Sequence, residues 1–151
     1  MEIKGRIGLA APAGWAVRER WEKDNPEVVL SSGPHIIHVR LFGGKKSSYK
    51  TISDFMASPE ARDDGGQTRL RGFAVVSGRK LKLYHVENEG EAGSPESSYA
   101  IRYNVVKEFC ILPAKSRFYV LSYSTSAGRF STPKFDRKIW NRFLNSVSLA
   151  R

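Results

Sequence analysis

From Ile7 onward the apolar positions come in short runs cut by glycine and proline, a pattern that predicts strands joined by tight turns. Ile7–Ala11 is one such run, ended by Pro12-Ala13-Gly14. Trp15 to Trp21 alternates, with Trp15, Val17, Glu19 and Trp21 on one face and Ala16, Arg18 and Arg20 on the other. A turn at Asn25-Pro26 leads into Glu27–Ser31, and Ser32-Gly33-Pro34 leads into His35–Phe42. These connections are too short for parallel crossovers, so the strands pair antiparallel.

The period then changes. Gly43 to Lys50 is a polar, cationic loop carrying Lys45, Lys46 and Lys50. A short helix is predicted after Thr51, whose hydroxyl caps the first turn while Asp54 reaches back, with Ile52, Phe55 and Met56 as its apolar stripe. Ser58-Pro59 starts a second turn through Glu60 and Ala61, which Asp63-Asp64-Gly65-Gly66 ends. The clearest hairpin follows: Thr68–Val76 and Arg79–Val86 flank Ser77-Gly78. Period two puts Leu70, Ala74, Val76, Leu81, Leu83 and His85 on one face, and Arg69, Arg71, Phe73, Val75, Lys80, Lys82 and Tyr84 on the other.

Glu87–Ser98, rich in Glu, Gly, Ser and Pro, is expected to be a solvated loop; its carboxylates lack the regular spacing of a calcium loop. Tyr99–Phe109 and Arg117–Thr125 are two further strands, with Leu112–Ser116 as the turn between them. The chain closes in an amphipathic helix with Thr132 as cap and Pro133 in its first turn. Phe135, Ile139, Trp140, Phe143, Leu144 and Val147 form its core stripe, and Lys134, Arg137, Lys138 and Arg142 a solvated basic side. Seven or eight strands, a short central helix and a C-terminal helix make an α+β domain, its antiparallel sheet covered by helix on at least part of one face.

At 151 residues, 40% hydrophobic and 26% charged, the chain has the size and composition of one globular domain, residues 1–151. One cysteine, Cys110, excludes an internal disulfide and a zinc site built from thiolates. No apolar run approaches the ~20 residues of a membrane-spanning helix. The opening Met1-Glu2-Ile3-Lys4 carries no signal-peptide pattern, which places the chain as written in the cytoplasm; a trimmed leader would place it in the periplasm or cell envelope. Lys and Arg number 25 against 15 Asp and Glu, a net charge of +10 that favours an acidic protein, nucleic acid or anionic lipid as partner.

Two segments carry a resemblance. Ile7-Gly8-Leu9, followed by Pro12-Ala13-Gly14-Trp15, resembles the opening of PsbP-like domains, the superfamily of the oxygen-evolving-complex P-subunit and the Mog Ran-release factor. The strand Phe118-Tyr119-Val120-Leu121-Ser122-Tyr123-Ser124, with a later helix closing in Phe143-Leu144-Asn145-Ser146-Val147, is similar to their ending. The resemblance implies an α/β/α sandwich around the antiparallel sheet and a non-enzymatic role in protein binding or assembly. Bacterial relatives include small lipoproteins and chaperones that escort secretion effectors; this chain shows no lipobox cysteine. The matching positions are turn and core residues, so no catalytic residue carries over.

The residues announce no chemistry of their own. Nucleophile-elbow, zinc-protease, P-loop and dinucleotide motifs are absent, and neither catalysis, a cofactor nor a metal is expected. His35 and His38 project to opposite faces of their strand, His85 reads as a core histidine, and Cys110, at a strand end, as a small buried hydrophobe. The hydroxyl run Ser122–Ser126 reads as strand end and turn. The candidate surface is the hairpin face with Arg69, Arg71, Phe73, Lys80, Lys82 and Tyr84. Four cations cannot be buried unpaired, so that face meets water. Cations with interleaved aromatics suit phosphate contact and base stacking; equally, long stems can simply cover Phe73 and Val75 while their charged ends reach solvent. The leading expectation is a protein-binding or chaperone-type module with an exposed apolar or aromatic patch, placed near Trp15 and Trp21; the alternative is a binder of nucleic acid or another anionic surface through the basic hairpin.

Overall fold

Ser77 and Gly78 both adopt positive φ, 50° and 77°, the geometry a two-residue hairpin turn needs. The structure, a computed structural model, describes residues 2–3, 7–20, 22, 24–92, 101–128 and 130–150. Its elements in chain order are β1 (Glu2–Ile3), β2 (Ile7–Gly8), β3 (Ala16–Arg20), β4 (Glu27–Ser32), β5 (His35–Phe42), α1 (Ile52–Met56), a 3-10 turn (Pro59–Ala61), β6 (Arg69–Val76), β7 (Arg79–Ala92), β8 (Ile101–Ala114), β9 (Arg117–Gly128), α2 (Arg137–Ser146) and β10 (Ser148–Leu149). The fold is α+β. Seven strands form one antiparallel sheet in the order β3-β4-β5-β9-β8-β7-β6, and β1, β2 and β10 form a small second sheet with β2 in its centre.

Alternation divides the core in two. On one face Leu30, Ile37, Val39, Cys110, Leu112, Tyr119 and Leu121 pack with Trp140, Phe143 and Leu144 of α2. On the other, Phe42, Val86, Phe109, Phe118 and Val120 pack with Phe55 of α1 and Ala61 of the 3-10 turn. The helices therefore lie on opposite faces. The α1 side is the thinner cover: α1 and the 3-10 turn have five and three residues against ten in α2. Thr51 and Asp54 form the expected capping box, both hydrogen bonds in place. Phe55 supplies the buried contact while Ile52, expected in the stripe, is exposed, because so short a helix turns only one residue fully inward.

Four other boundaries differ from expectation. Glu87–Ala92 continues β7, because the backbone pairs in register with Ile101–Val106 whatever the side chains' polarity; Gly93–Ser98 lies outside the described residues. β8 runs on through Pro113 to Ala114, and Lys115-Ser116 alone makes the turn, Lys115 taking φ 58°. Cys110 thus sits inside a strand, fully buried, and Ser122–Ser126 forms the body of β9 rather than a turn. α2 starts at Arg137 with Asp136 as its cap, accepting from the Ile139 N–H at 3.1 Å, since the Tyr123 hydroxyl holds the Asp136 N–H at 3.2 Å and fixes the entry there. Thr132 and Pro133 precede the helix.

Candidate functional site

The β6–β7 hairpin ends the sheet on the thinly covered side. Register pairs Val76 with Arg79, Val75 with Lys80, Ala74 with Leu81, Phe73 with Lys82, Gly72 with Leu83, Leu70 with Tyr84 and Arg69 with His85. Arg71 is left over as a bulge, an extra residue that two-residue alternation does not foresee. Below it the faces invert. Leu70 joins Phe73, Val75, Lys80, Lys82 and Tyr84, while Arg69 moves to the opposite face with His85. The six candidate residues thus divide: Phe73, Lys80, Lys82 and Tyr84 share a face, Arg71 is the bulge, and Arg69 lies behind.

What that face exposes is apolar at its outer strand. Leu70, Phe73 and Val75 are 54%, 53% and 63% exposed. Each retains surface whose burial would contribute on the order of 1 kcal/mol. Lys80 folds its ammonium over the Phe73 ring at 4.6 Å. Tyr84 stacks on Phe109 at 5.1 Å and so joins the hairpin to the α1-side core. Behind, Ala74, Val76, Leu81 and Leu83 pack in the α2-side core. Two polar contacts hold the hairpin tip: the Leu149 N–H donates to Ser77 Oγ at 2.9 Å, and Arg79 Nη1 donates to the Pro113 carbonyl at 2.7 Å.

The aromatic patch expected near Trp15 and Trp21 can be followed only at Trp15. Trp15 packs against the α2-side core, and Trp21 is outside the described residues. Lys45, Lys46 and Lys50 do not extend the hairpin's charge, because their loop is tied to the far side of the sheet. Ser47 Oγ donates to the Asp24 carbonyl at 2.9 Å, and the Ser48 N–H donates to Asn25 Oδ1 at 3.0 Å. Arg137 is not simply a solvated cation. It makes a two-pronged bond to Glu108, which is fully buried, Nη1 donating to Oε1 at 2.8 Å. The pattern missed this pair because Glu108 sits among core residues with nothing in its neighbours to announce a partner on α2.

His85 completes that cluster. Its Nδ1 lies 3.5 Å from Glu108 Oε2, and its Nε2 meets Glu87 Oε1 at 2.9 Å. A histidine between two carboxylates is a common proton-handling arrangement, but His85 lines neither of the two clefts in the protein surface described below. The larger, about 460 Å³, is bordered by Asp64, Glu87, Asn88, Glu89 and Ser131–Pro133. The smaller, about 300 Å³, lies between Glu27, Arg40, Tyr49 and Glu60. Its groups bind one another: Arg40 Nη1 and the Tyr49 hydroxyl each donate to Glu60 at 2.7 Å, and His38 Nε2 meets Glu27 Oε2 at 2.7 Å. Against burial, which works to raise it, the Tyr49 hydrogen bond and the Arg40 guanidinium hold the Glu60 carboxyl below its usual range. Burial lowers both His38 and Lys107, and pushes the Cys110 thiol up to about 12. Such a thiol is a poor nucleophile. Among the described residues no three His, Cys, Asp or Glu side chains gather to hold a metal ion, and no helix is long and apolar enough to cross a membrane. His35 and His38 face opposite ways as expected, His35 Nδ1 meeting the Tyr123 hydroxyl at 2.6 Å.

No family model matches the chain, and no curated protein does. Some solved structures are similar to it at low identity. A Bacteroides thetaiotaomicron protein is similar over 96% of this chain and 45% of its own length, at 8% identity and a TM-score of 0.49. Mycobacterium tuberculosis LpqN, involved in cell envelope biogenesis, is similar over 96% of this chain and 83% of its own, at 12% identity and a TM-score of 0.40. This chain therefore spans less than half the length of the Bacteroides protein.

Proposed function

We propose that the chain is a non-enzymatic protein-binding module of the assembly or chaperone type, of PsbP-like descent, and that it binds through the outer face of the β6–β7 hairpin. The observation that carries this reading is the row Leu70, Phe73 and Val75, each more than half exposed, side by side on the last strand of the sheet. A contiguous apolar patch rimmed by charge is the mark of an interaction surface. Its test is capture from source-cell lysate at about 50 mM and 300 mM salt, a span over which phosphate-driven binding collapses. One defined protein, held at the higher salt by the wild type and released by Phe73→Ser with Val75→Ser, is the expected result. The same protein held equally by both sinks the assignment to this face.

A second reading has its own observation. Lys80 over the Phe73 ring, with Lys82 beside it, is an arrangement suited to an anionic polymer or surface. It calls for nucleic acid or lipid in the low-salt eluate only, lost when Arg71, Lys80 and Lys82 all become Glu.

A further inference from the structure

We propose that this face takes its partner by strand addition: an extended segment of another protein, with apolar and acidic residues alternating, pairs with the outer edge of β6. The inference rests on the protein-binding reading and goes further, to the backbone that binds and the chemistry of what is bound.

The backbone comes first. Val76 and Arg79 close a two-residue turn and so exchange both backbone hydrogen bonds; alternation then makes Ala74 and Leu81 the next bonded pair. Phe73 and Val75 fall between, which turns their N–H and C=O groups away from β7. β6 is the last strand of its sheet, and among the described residues no backbone group pairs with its outer side. An added strand has donors and acceptors waiting at Phe73 and Val75.

Side chains then select. Every second residue of an added strand falls on the face of Leu70, Phe73 and Val75, where an apolar group covers what they expose. Lys80 stands opposite Val75 yet reaches diagonally to Phe73, which carries its charge toward the edge. With Lys82 beside it and Arg71 at the bulge, the edge favours carboxylates. The same charges disfavour a second copy of this chain, because β6 against β6 brings Arg71, Lys80 and Lys82 of each close to those of the other, in a protein of net charge +10. Bulges and cations also serve to blunt edges against unwanted pairing. Blunting does not call for three large apolar side chains in solvent. The strand is also held in place from behind, by the α2-side core and by the Ser77 contact to Leu149, so little order has to be imposed on binding.

The experiment uses the whole chain and an array of eight-residue peptides in which Val, Ile or Phe alternate with Asp or Glu, read by fluorescence anisotropy in about 150 mM salt. The best peptides are expected to bind with Kd on the order of 10 μM. N-methylation of the alternate residues whose N–H groups face β6 should weaken them at least roughly tenfold, and methylation of the other set should do far less. On the protein, Val75→Pro removes an outward N–H while sparing the β6–β7 ladder and should weaken binding by a similar factor. The methylated peptides carry the test on the wild-type protein even if that variant folds poorly. Peptides that bind regardless of methylation, yet are lost with Phe73→Ser, overturn strand addition and leave the protein-binding reading standing. No peptide binding overturns strand addition as well; if vesicles of anionic phosphatidylglycerol are then bound, and released by Lys80→Glu with Lys82→Glu, the protein-binding reading falls with it.

Discussion

At one edge of the seven-stranded sheet, β3 presents Ala16, Val17, Arg18, Glu19 and Arg20, all exposed, with charges of both signs and a single large apolar side chain, Val17. Arg20 Nε lies 3.8 Å from Glu27 Oε1 on the neighbouring strand. At the other edge, β6 presents Leu70, Phe73 and Val75, and the charges it carries and those facing them from β7, Lys80 and Lys82, are positive. Both edges expose backbone, and both come from alternating sequence. They differ in what a passing strand would meet. At β3 it meets mixed charge that rewards no single partner; at β6 it meets apolar surface beside cations. Charge and bulges can blunt either edge against association; what sets β6 apart is the row of exposed apolar side chains that β3 lacks.

The support behind β6 can be removed without touching its outer face, and this gives the largest expected effect. Arg137 on α2 pairs with the buried carboxylate of Glu108, one strand in from β7. Arg137→Leu leaves that carboxylate, among the described residues, with only His85 as an ion-pair partner and should cost about 3 kcal/mol, a fall of roughly 6–12 °C in melting temperature. Hydrogen exchange should quicken in β6 and β7 before β3 and β4. Removing both partners, Glu108→Leu with Arg137→Leu, should recover most of the loss. Equal quickening at the two edges would mean that α2 does not hold the hairpin in place.

A smaller effect separates the edges by binding. Phe73→Ser with Val75→Ser should weaken the captured partner about 30-fold, on the order of 2 kcal/mol, because both side chains lose burial available only in the complex. Stability should change by less than about 0.5 kcal/mol per site, since both are already exposed. Val17→Ser on β3 is the matched control and should leave binding as it was. Titration of the three proteins against one labelled partner checks all of this, and an equal loss from Val17→Ser would erase the distinction between the edges.

How much of this was legible in the sequence depends on how local the cause is. The Ser77-Gly78 turn, the Thr51–Asp54 capping box and the Trp140, Phe143 and Leu144 stripe of α2 are settled within a few residues, and all three are where the pattern puts them, though Phe135 lies before the helix. Phe73, Val75, Lys80, Lys82 and Tyr84 of the hairpin face were legible for the same reason. What failed was decided across the chain. The Arg71 bulge exists only relative to β7, and it alone sends Arg69 behind and brings Leu70 forward. Glu87–Ala92 looks like loop until its backbone meets β8. Thr132 and Pro133 make a better cap on paper than Asp136, but Tyr123 on β9 holds the Asp136 N–H. That β6 ends the sheet, the fact that makes its apolar residues a surface instead of core, is a property of strand order and is written in no single segment.

The β3 end differs in one more respect, and the effect is the smallest of the set. Its neighbours β4 and β5 carry the Glu27–His38 contact and the Arg40–Glu60 pair. Burial, then the Arg40 charge, hold the His38 imidazole below its ordinary value of 6.5, outweighing the hydrogen bond to Glu27. The unfolded chain therefore takes up a proton near pH 6.5 that the folded chain resists, so stability is full above that pH and falls as the pH drops below it. Glu60 adds a second loss further into acid: its folded carboxyl titrates below its ordinary 4.5, so its contribution is present above that value and goes as pH falls through the lower one. Between pH 7.5 and 5.5 only the His38 effect operates of these two, so the melting temperature should fall as the pH drops across that interval. His38→Gln keeps a donor for Glu27 and cannot take up the proton, so its melting curve should flatten over that interval. Phe73→Ser with Val75→Ser should follow the wild-type slope, because nothing it changes touches the β3 end. A His38→Gln protein with the wild-type slope would move the pH response away from β4 and β5 and leave the two edges distinguished by their apolar surface alone.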